Sequence, residues 1–289
     1  MNKEQCYKLS ISAFLGVFCI FLITNFIFFK INWLFSILIF CFGVVLLLIV
    51  KLYLKIESSV DRIQRELGLS KVINGETDRW NIDEKTGEKK YYSQCKQDQW
   101  IIEEVFDYKK NGFFLDLGGA DGIDISNTYV LEKKYGWKGI CIECEDSLFE
   151  KLKSNRNCIC VHVCIDDYSK KTIKFTKNRG LIGGIIDQDT DNKGFINTNE
   201  FDKKETYALA EILDKYNAPK VIDYFSLDVE GAEHRIFRNF PFDRYKFLAM
   251  SIERPNEDLV KNLRENGYIK VGANEFDKLF IHKDFNKYR

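Results

Sequence analysis

Phe113 to Gly122 read FFLDLGGADG, an apolar run that ends on Asp116 and passes into a turn carrying Gly118, Gly119, Ala120, Asp121 and Gly122 before a helix-like pattern opens near Ser126. This is the pattern of a strand feeding a tight turn. Residues without bulk let the backbone come close to a ligand, and a carboxylate at the strand end can hold one of its polar groups. In a doubly wound sheet ligands sit outside the carboxyl ends of the strands, so the turn marks the mouth of a site. D-x-G-x-x-x-G also occurs at plain strand-turn-helix corners, and the chain that follows decides between the two.

Strands and helices alternate around this stretch. Upstream, Gln97 to Lys109 has a helical pattern. Downstream come a helix (Ser126 to Tyr135), a strand (Gly139 to Glu143), a helix (Ser147 to Asn155), a strand (Ile159 to Ile165) and an edge piece (Thr172 to Thr176). Gly180 to Lys204, glycine-rich and then polar, reads as a mobile loop or lid. The alternation resumes with a helix (Tyr207 to Tyr216), a strand (Val221 to Asp228), a helix (Glu233 to Asn239), a strand (Phe247 to Glu253) and a helix (Asp258 to Asn266). Such alternation predicts a mostly parallel sheet covered on both faces. The last two strands, Tyr268 to Val271 and Lys278 to His282, have no helix between them, which implies a hairpin that leaves one strand antiparallel.

Glu143 closes the second strand in GICIECED, 21 positions after Gly122. A glycine turn followed about 20 residues later by an acid at the next strand end is how such sheets take the ribose hydroxyls of an adenosine-containing cofactor. The G-x-G-x-x-G fingerprint of nicotinamide dinucleotides fails, because Ala120 and Ile123 stand where glycines are wanted. Asp116 would also sit badly beside a pyrophosphate. It suits S-adenosylmethionine, which carries an ammonium and a sulfonium. Asp166 and Asp167 follow the third strand, where a carboxylate can meet the adenine amino group or stand as a solvated loop acid.

The fourth strand ends in SLDVEGAE, which crowds Asp228, Glu230 and Glu233 onto the same edge of the sheet. Such acids can act as a general base, bind a divalent cation or cap the following helix. The functional reading is preferred for Asp228 and Glu230, and the helix surface for Glu233. Glu253 in SIERP either joins a metal site with Asp228 or pairs with Arg254. His234 is a weaker candidate base, and Gln97 and Asp98 either reach the cofactor or start a helix. Nine cysteines without framework spacing read as reduced thiols. Cys141 and Cys144 would face opposite sides of one strand, which opposes a zinc site and favours buried small apolar side chains. No metal ligand is assigned.

FFLDLGGADG, the SNT at Ser126 to Thr128, GWKGICIE, DYFSLDVEGAE and the upstream SQCKQDQW together resemble the FkbM-type methyltransferase family, including its Star-like branch. The resemblance runs from about Tyr92 to the C-terminus. It implies a class I Rossmann-like α/β fold and S-adenosylmethionine-dependent methylation of a hydroxyl oxygen, often on a sugar or secondary metabolite. Cofactor roles fall on Asp116, Gly118, Gly122 and Glu143, with Ala120 in the same turn and Asp166 beyond the third strand. Asp228 and Glu230 match the motif at the fourth strand and are the expected catalytic pair. The Star-like branch keeps open a membrane adaptor that retains the fold without turnover.

Lys+Arg and Asp+Glu balance at 43 each over 289 residues, so nothing calls for nucleic acid as a partner. The charge is unevenly spread. Leu9 to Phe29 and Ile31 to Val50 are uncharged, with only Lys30 between them. Each run is about the 20 residues needed to cross a bilayer as a helix. A signal peptide fits less well, since no small-residue cleavage site follows. Lys3 and Lys8 before the first run, and Lys51, Lys55, Arg62 and Arg65 after the second, put both ends in the cytoplasm by the positive-inside rule. The expected organisation is therefore a transmembrane hairpin over 1–55, an amphipathic helix and polar linker over 56–91, and a methyltransferase domain over 92–289. That organisation makes a multi-pass membrane protein whose catalytic domain is cytoplasmic. The expected partners are the lipid bilayer and a small-molecule, saccharide or lipid-linked acceptor; no oligomeric state is specified.

Overall fold

The computed structural model describes residues 42–45, 48–49, 51–52 and 89–288. The chain divides into two compact units, Met1–Val60 and Asp61–Arg289. In the first, the described residues are helical. The expected transmembrane hairpin is corrected here, and with it the two-span membrane placement: among the described residues no helix is long and apolar enough to cross a membrane. The uncharged runs suggest spans by length and hydropathy alone, which mark a segment as apolar without establishing a continuous helix of the roughly 20 residues a span requires. The whole of the first run, the remainder of the second, and the juxtamembrane helix and linker up to residue 88 lie outside the described residues.

The second unit carries a seven-stranded sheet. Its strands are β1 (Phe113–Leu117), β2 (Lys138–Glu143), β3 (Ile159–His162), β7 (Val221–Leu227), β8 (Lys246–Glu253), β9 (Tyr268–Ala273) and β10 (Asp277–His282), in the order β3-β2-β1-β7-β8-β10-β9. Pairing is parallel from β3 through β8. β10 runs antiparallel to both neighbours, β8 and β9, so it is the reversed strand that the missing final helix implied. The sheet is Rossmann-like and mostly parallel.

Alternation in the strands supplies both faces with apolar side chains. In β1, Phe114 enters one core cluster, while Leu115 and Leu117 enter the other. Helices α4 (Leu209–Lys215), α5 (Glu233–Ile236) and α6 (Glu257–Glu265) cover the second cluster with Leu209, Ile212, Ile236, Leu259 and Leu263. The first is covered by α2 (Tyr129–Tyr135), α3 (Asp146–Asn155) and the segment that opens as α1 (Gln97–Gln99) and continues as a π-helix over Trp100–Val105. The α3 helix is capped by Glu145, whose side chain accepts from the Leu148 amide, and α6 by Asn256 in the same way on Leu259.

A small second sheet, β4 (Cys164–Asp166), β5 (Thr172–Thr176) and β6 (Phe201–Ala208) in the order β4-β6-β5, departs from the sequence reading. The strand expected over Ile159 to Ile165 breaks at Val163 into β3 and β4, which belong to different sheets. β6 lies partly in the expected lid. Its residues FDKKETYA are mostly charged or polar and half exposed, so they lack the alternation that marks a strand.

Candidate functional site

The first parallel pair sets the geometry. β1 and β2 run in register with Asp116 beside Cys141, and the amides of Gly118 and Gly119 both donate to the Ile142 carbonyl at 3.0 and 3.1 Å. Gly118 has φ +87°, and a Cβ there would fall on the Asp228 carbonyl oxygen, so no other residue fits between β1 and β7. The turn then brings the Ala120 amide to 2.9 Å from Glu143 Oε2. Glu143 Oε1 accepts from the amides of Cys144 and Glu145, each at 2.8 Å. A carboxylate offers about four lone-pair positions, so one on Oε2 remains for a ligand hydroxyl. Burial pushes the Glu143 carboxyl up to about 7 against the lowering effect of the three amides.

Asp116 is buried, and its Oδ2 accepts from Thr128 Oγ1 at 2.5 Å. Arg156 stands behind this pair, donating to Thr128 Oγ1 at 3.0 Å and to Glu132 Oε2 at 2.7 Å. Burial raises the Asp116 carboxyl, and Thr128 and Arg156 oppose the rise. Asn127 donates through Nδ2 to Ser226 Oγ at 2.8 Å, while its buried Oδ1 has no partner. Thr128, Arg156 and Asn127 were not foreseen as individual site residues. The SNT segment was the visible sign for two of them, whereas Arg156 gave no local sign, because its partners lie 24 to 34 positions away.

The tips of β7 and β8 supply an acidic wall. Carboxylate oxygens of Asp228, Glu230 and Glu253 lie within 4.8 Å of one another. Arg254 Nη2 meets Glu253 Oε2 at 2.8 Å, Glu230 Oε2 at 3.0 Å and Asp191 Oδ2 at 3.0 Å. Burial, and then the charge of Glu253, holds Asp228 well above the ordinary carboxylate range, and the same two causes raise Glu230. Three hard oxygen donors at this spacing could hold a divalent cation, or one of them can keep a proton.

One cavity of about 690 Å³ is lined by Asp116, Gly118, Ala120, Glu143, Asp228, Glu230 and Glu253 together. Gly122 and Asp166 stand outside its wall. Gly122, at φ +82°, leaves room for the Arg156 stem and Leu152 behind the turn. Asp166 is buried between Lys171 Nζ, at 3.3 Å, and Arg235 Nη1, at 3.5 Å. Glu233, expected on the helix surface, is buried: its Oε1 accepts from the amides of Val229 and Gly231 at 3.0 and 3.2 Å and holds the turn after β7. His234 pairs with Asp189 at 2.9 Å and does not line the cavity. Gln97 and Asp98 start the first helix: Gln97 binds Asp277 Oδ2 at 2.6 Å, and Asp98 takes the Tyr92 amide at 2.6 Å. Tyr92, Ser93 and Gln94 reach the cavity from that segment instead.

Two further expectations change. Cys144 and Cys164 form a disulfide, with Cα atoms 4.8 Å apart, where the end of β2 faces the start of β4. Among the described residues Cys95, Cys141, Cys158 and Cys160 are free. The expected mobile lid is tied down: Arg235 binds Asp187 at 2.6 Å and Asp189 at 2.7 Å, and the Asp191 amide donates to the Glu230 carbonyl at 3.3 Å.

A family model for the methyltransferase FkbM domain matches residues 116–270. Among curated proteins no relative matches. The fold is similar to precorrin-6y C5,15-methyltransferase from Geobacter metallireducens GS-15, at 10% identity and TM-score 0.36 over 73% of this chain and 96% of that one. It is similar to the METTL16 MTase domain at 14% identity and TM-score 0.39, covering 77% and 76% of the two chains. A methyltransferase FkbM from Methylobacillus flagellatus KT aligns at 15% identity and TM-score 0.35 over 60% of this chain and 43% of that one. All three likenesses are weak.

Proposed function

Because the chain belongs to the FkbM methyltransferase family, we propose that it transfers a methyl group from S-adenosylmethionine to a hydroxyl oxygen of a small-molecule or saccharide acceptor. The observation that carries this reading is the meeting of Ala120 with Glu143 in one cavity with Asp116 and the β7 acids. The donor set fits this cofactor. Glu143 keeps one lone pair for a ribose hydroxyl, the buried Asn127 Oδ1 lacks a hydrogen-bond donor, and the acids Asp116 and Asp228 favour a cation.

Asp116, Gly118, Ala120 and Glu143 would hold the cofactor. When bound, S-adenosylmethionine supplies a methyl group activated by its sulfonium. The chain's part is to orient the acceptor hydroxyl and take its proton, and the side chain placed for that is Asp228, with its basicity raised by burial and by Glu253. Glu230, engaged by Arg254, shapes the same wall.

Calorimetry on the full chain tests the reading. Binding of S-adenosylmethionine and of S-adenosylhomocysteine, without binding of a nicotinamide dinucleotide, is expected. Absence of either adenosyl ligand, or nicotinamide binding in its place, would overturn it. Binding without methyl transfer to any hydroxylated acceptor would leave a ligand-holding adaptor as the better description.

A further inference from the structure

We propose that the acceptor is an uncharged alcohol whose hydroxyl sits beside an apolar ring or chain, bound in preference to phosphorylated sugars and bare saccharides. This rests on the donor-binding reading above and extends it to the other half of the cavity.

Eight large apolar side chains among the described residues of the second unit are exposed, and four of them line this one cavity: Ile125 at 40%, Leu181 at 50%, Ile182 at 51% and Phe276 at 38%. They come from three separate segments, namely the turn after β1, the 3₁₀ turn Gly180–Ile182 and the turn between β9 and β10. Convergence from three segments on a single rim is not the scatter of single apolar residues that any surface shows. Ile125 adds an independent sign. It is β-branched yet has φ +52°, a conformation such residues avoid, and its backbone is held there by a bridge to Ser93. A strained residue kept at a cavity rim is the kind of outlier from which a ligand contact is inferred.

Charge decides against an anionic occupant. The wall beneath the rim carries Asp228, Glu230 and Glu253, and its one guanidinium, Arg254, is shared among Glu230, Glu253 and Asp191. Lys89, which also lines the cavity, lies over the Tyr92 ring at 4.9 Å. A phosphate at this wall would meet the carboxyl groups of Asp228, Glu230 and Glu253, and the guanidinium beside them is already shared among carboxylates. An apolar group on the acceptor covers the four rim side chains, while its hydroxyl reaches Asp228.

The test is calorimetry on the full chain saturated with S-adenosylhomocysteine, titrated with n-hexyl β-glucoside, methyl β-glucoside and n-hexyl phosphate. Hexyl glucoside is expected to bind about tenfold or more tighter than methyl glucoside, since the added methylenes leave water at a half-exposed rim. Hexyl phosphate is expected to bind more weakly than hexyl glucoside. Leu181→Ser with Ile182→Ser should cut the chain-length preference to about threefold or less without changing S-adenosylhomocysteine affinity. Phe276→Ser, on a different segment, should do the same and guards against a local folding defect. Equal binding of the two glucosides, tighter binding of the phosphate, or a preference that survives both variants would overturn the proposal. Failure of S-adenosylhomocysteine itself to bind would instead remove the donor reading, and this inference with it.

Discussion

The Ala120 amide donates to Glu143 Oε2 at 2.9 Å across 23 positions of sequence, which ties the turn after β1 to the tip of β2. Glu143 accepts three backbone N–H groups in all, so it both builds the turn and presents one remaining lone pair. Glu143→Gln exchanges one acceptor oxygen for a donor that faces an N–H group. S-adenosylhomocysteine affinity is expected to fall by about 10- to 100-fold, measured by calorimetry. Unchanged affinity would remove Glu143 from the donor seat.

The buried acids also set a pH dependence. Burial raises Glu143 and Glu233 to about 7 and Asp277 to about 6. A carboxyl whose folded pKa is raised binds more protons when folded, so stability falls as pH rises from the unfolded value toward the folded one. His282, held down to about 4 by burial, works the other way, but only up to its ordinary value near 6.5. Urea melts of the ligand-free chain should therefore show a net loss of stability between pH 5 and 8, on the order of 1–3 kcal/mol per acid. Glu233→Gln should flatten the curve. A stability that climbs steadily over this range would contradict the burial of these groups.

Gly118 and Gly194 make a matched pair. At φ +87° and against the Asp228 carbonyl, Gly118→Ala has nowhere to place its methyl group, whereas a Cβ on Gly194 meets nothing within 4 Å. Chemical denaturation should show a loss of at least about 2–4 kcal/mol for Gly118→Ala and a change within roughly 0.5 kcal/mol for Gly194→Ala. Similar values for the two would mean that β1 and β7 do not approach as described.

Much of this site could be read from sequence because its parts are local. The apolar run to Asp116, the glycine turn and the acid at the end of the next strand are consecutive pieces of one β-α-β unit, and strand alternation fixes their common edge. Asp228, Glu230 and Glu253 were legible for the same reason, since strands β7 and β8 end where β1 and β2 end. The missed features depend on contacts that no sequence pattern marks. Arg156 reaches Thr128 and Gly122 from the end of α3, Glu233 turns inward to amides four and two positions away, and β6 pairs through its backbone while its side chains remain polar. For the uncharged N-terminal runs, length and hydropathy alone raised the expectation of spans, and among the described residues no helix is long and apolar enough to cross a membrane.

The Cys144–Cys164 bridge closes a loop with a sequence separation of 20. Chain entropy alone assigns such a closure about 3 kcal/mol. Melts with and without a thiol reductant should differ by an amount of that order, and Cys164→Ser should match the reduced protein. Alkylation of the unfolded, unreduced chain followed by mass measurement should leave Cys144 and Cys164 unlabelled. Labelling of both would show that the pair remains as thiols.

The acid at the end of β7 gives the most direct test of the chemistry. Asp228 is held well above the ordinary carboxylate range by burial and by the charge of Glu253, so it becomes competent to take a proton only as pH climbs through that raised value. Once a methylated acceptor is in hand, turnover should rise with pH along a single limb. Asp228→Asn should lower kcat by about 100- to 10,000-fold while S-adenosylhomocysteine still binds. Glu253→Gln removes the negative neighbour, so the Asp228 carboxyl should titrate lower and the limb should move to more acid pH. A limb that stays in place in Glu253→Gln, with turnover otherwise intact, would assign the proton to some other group.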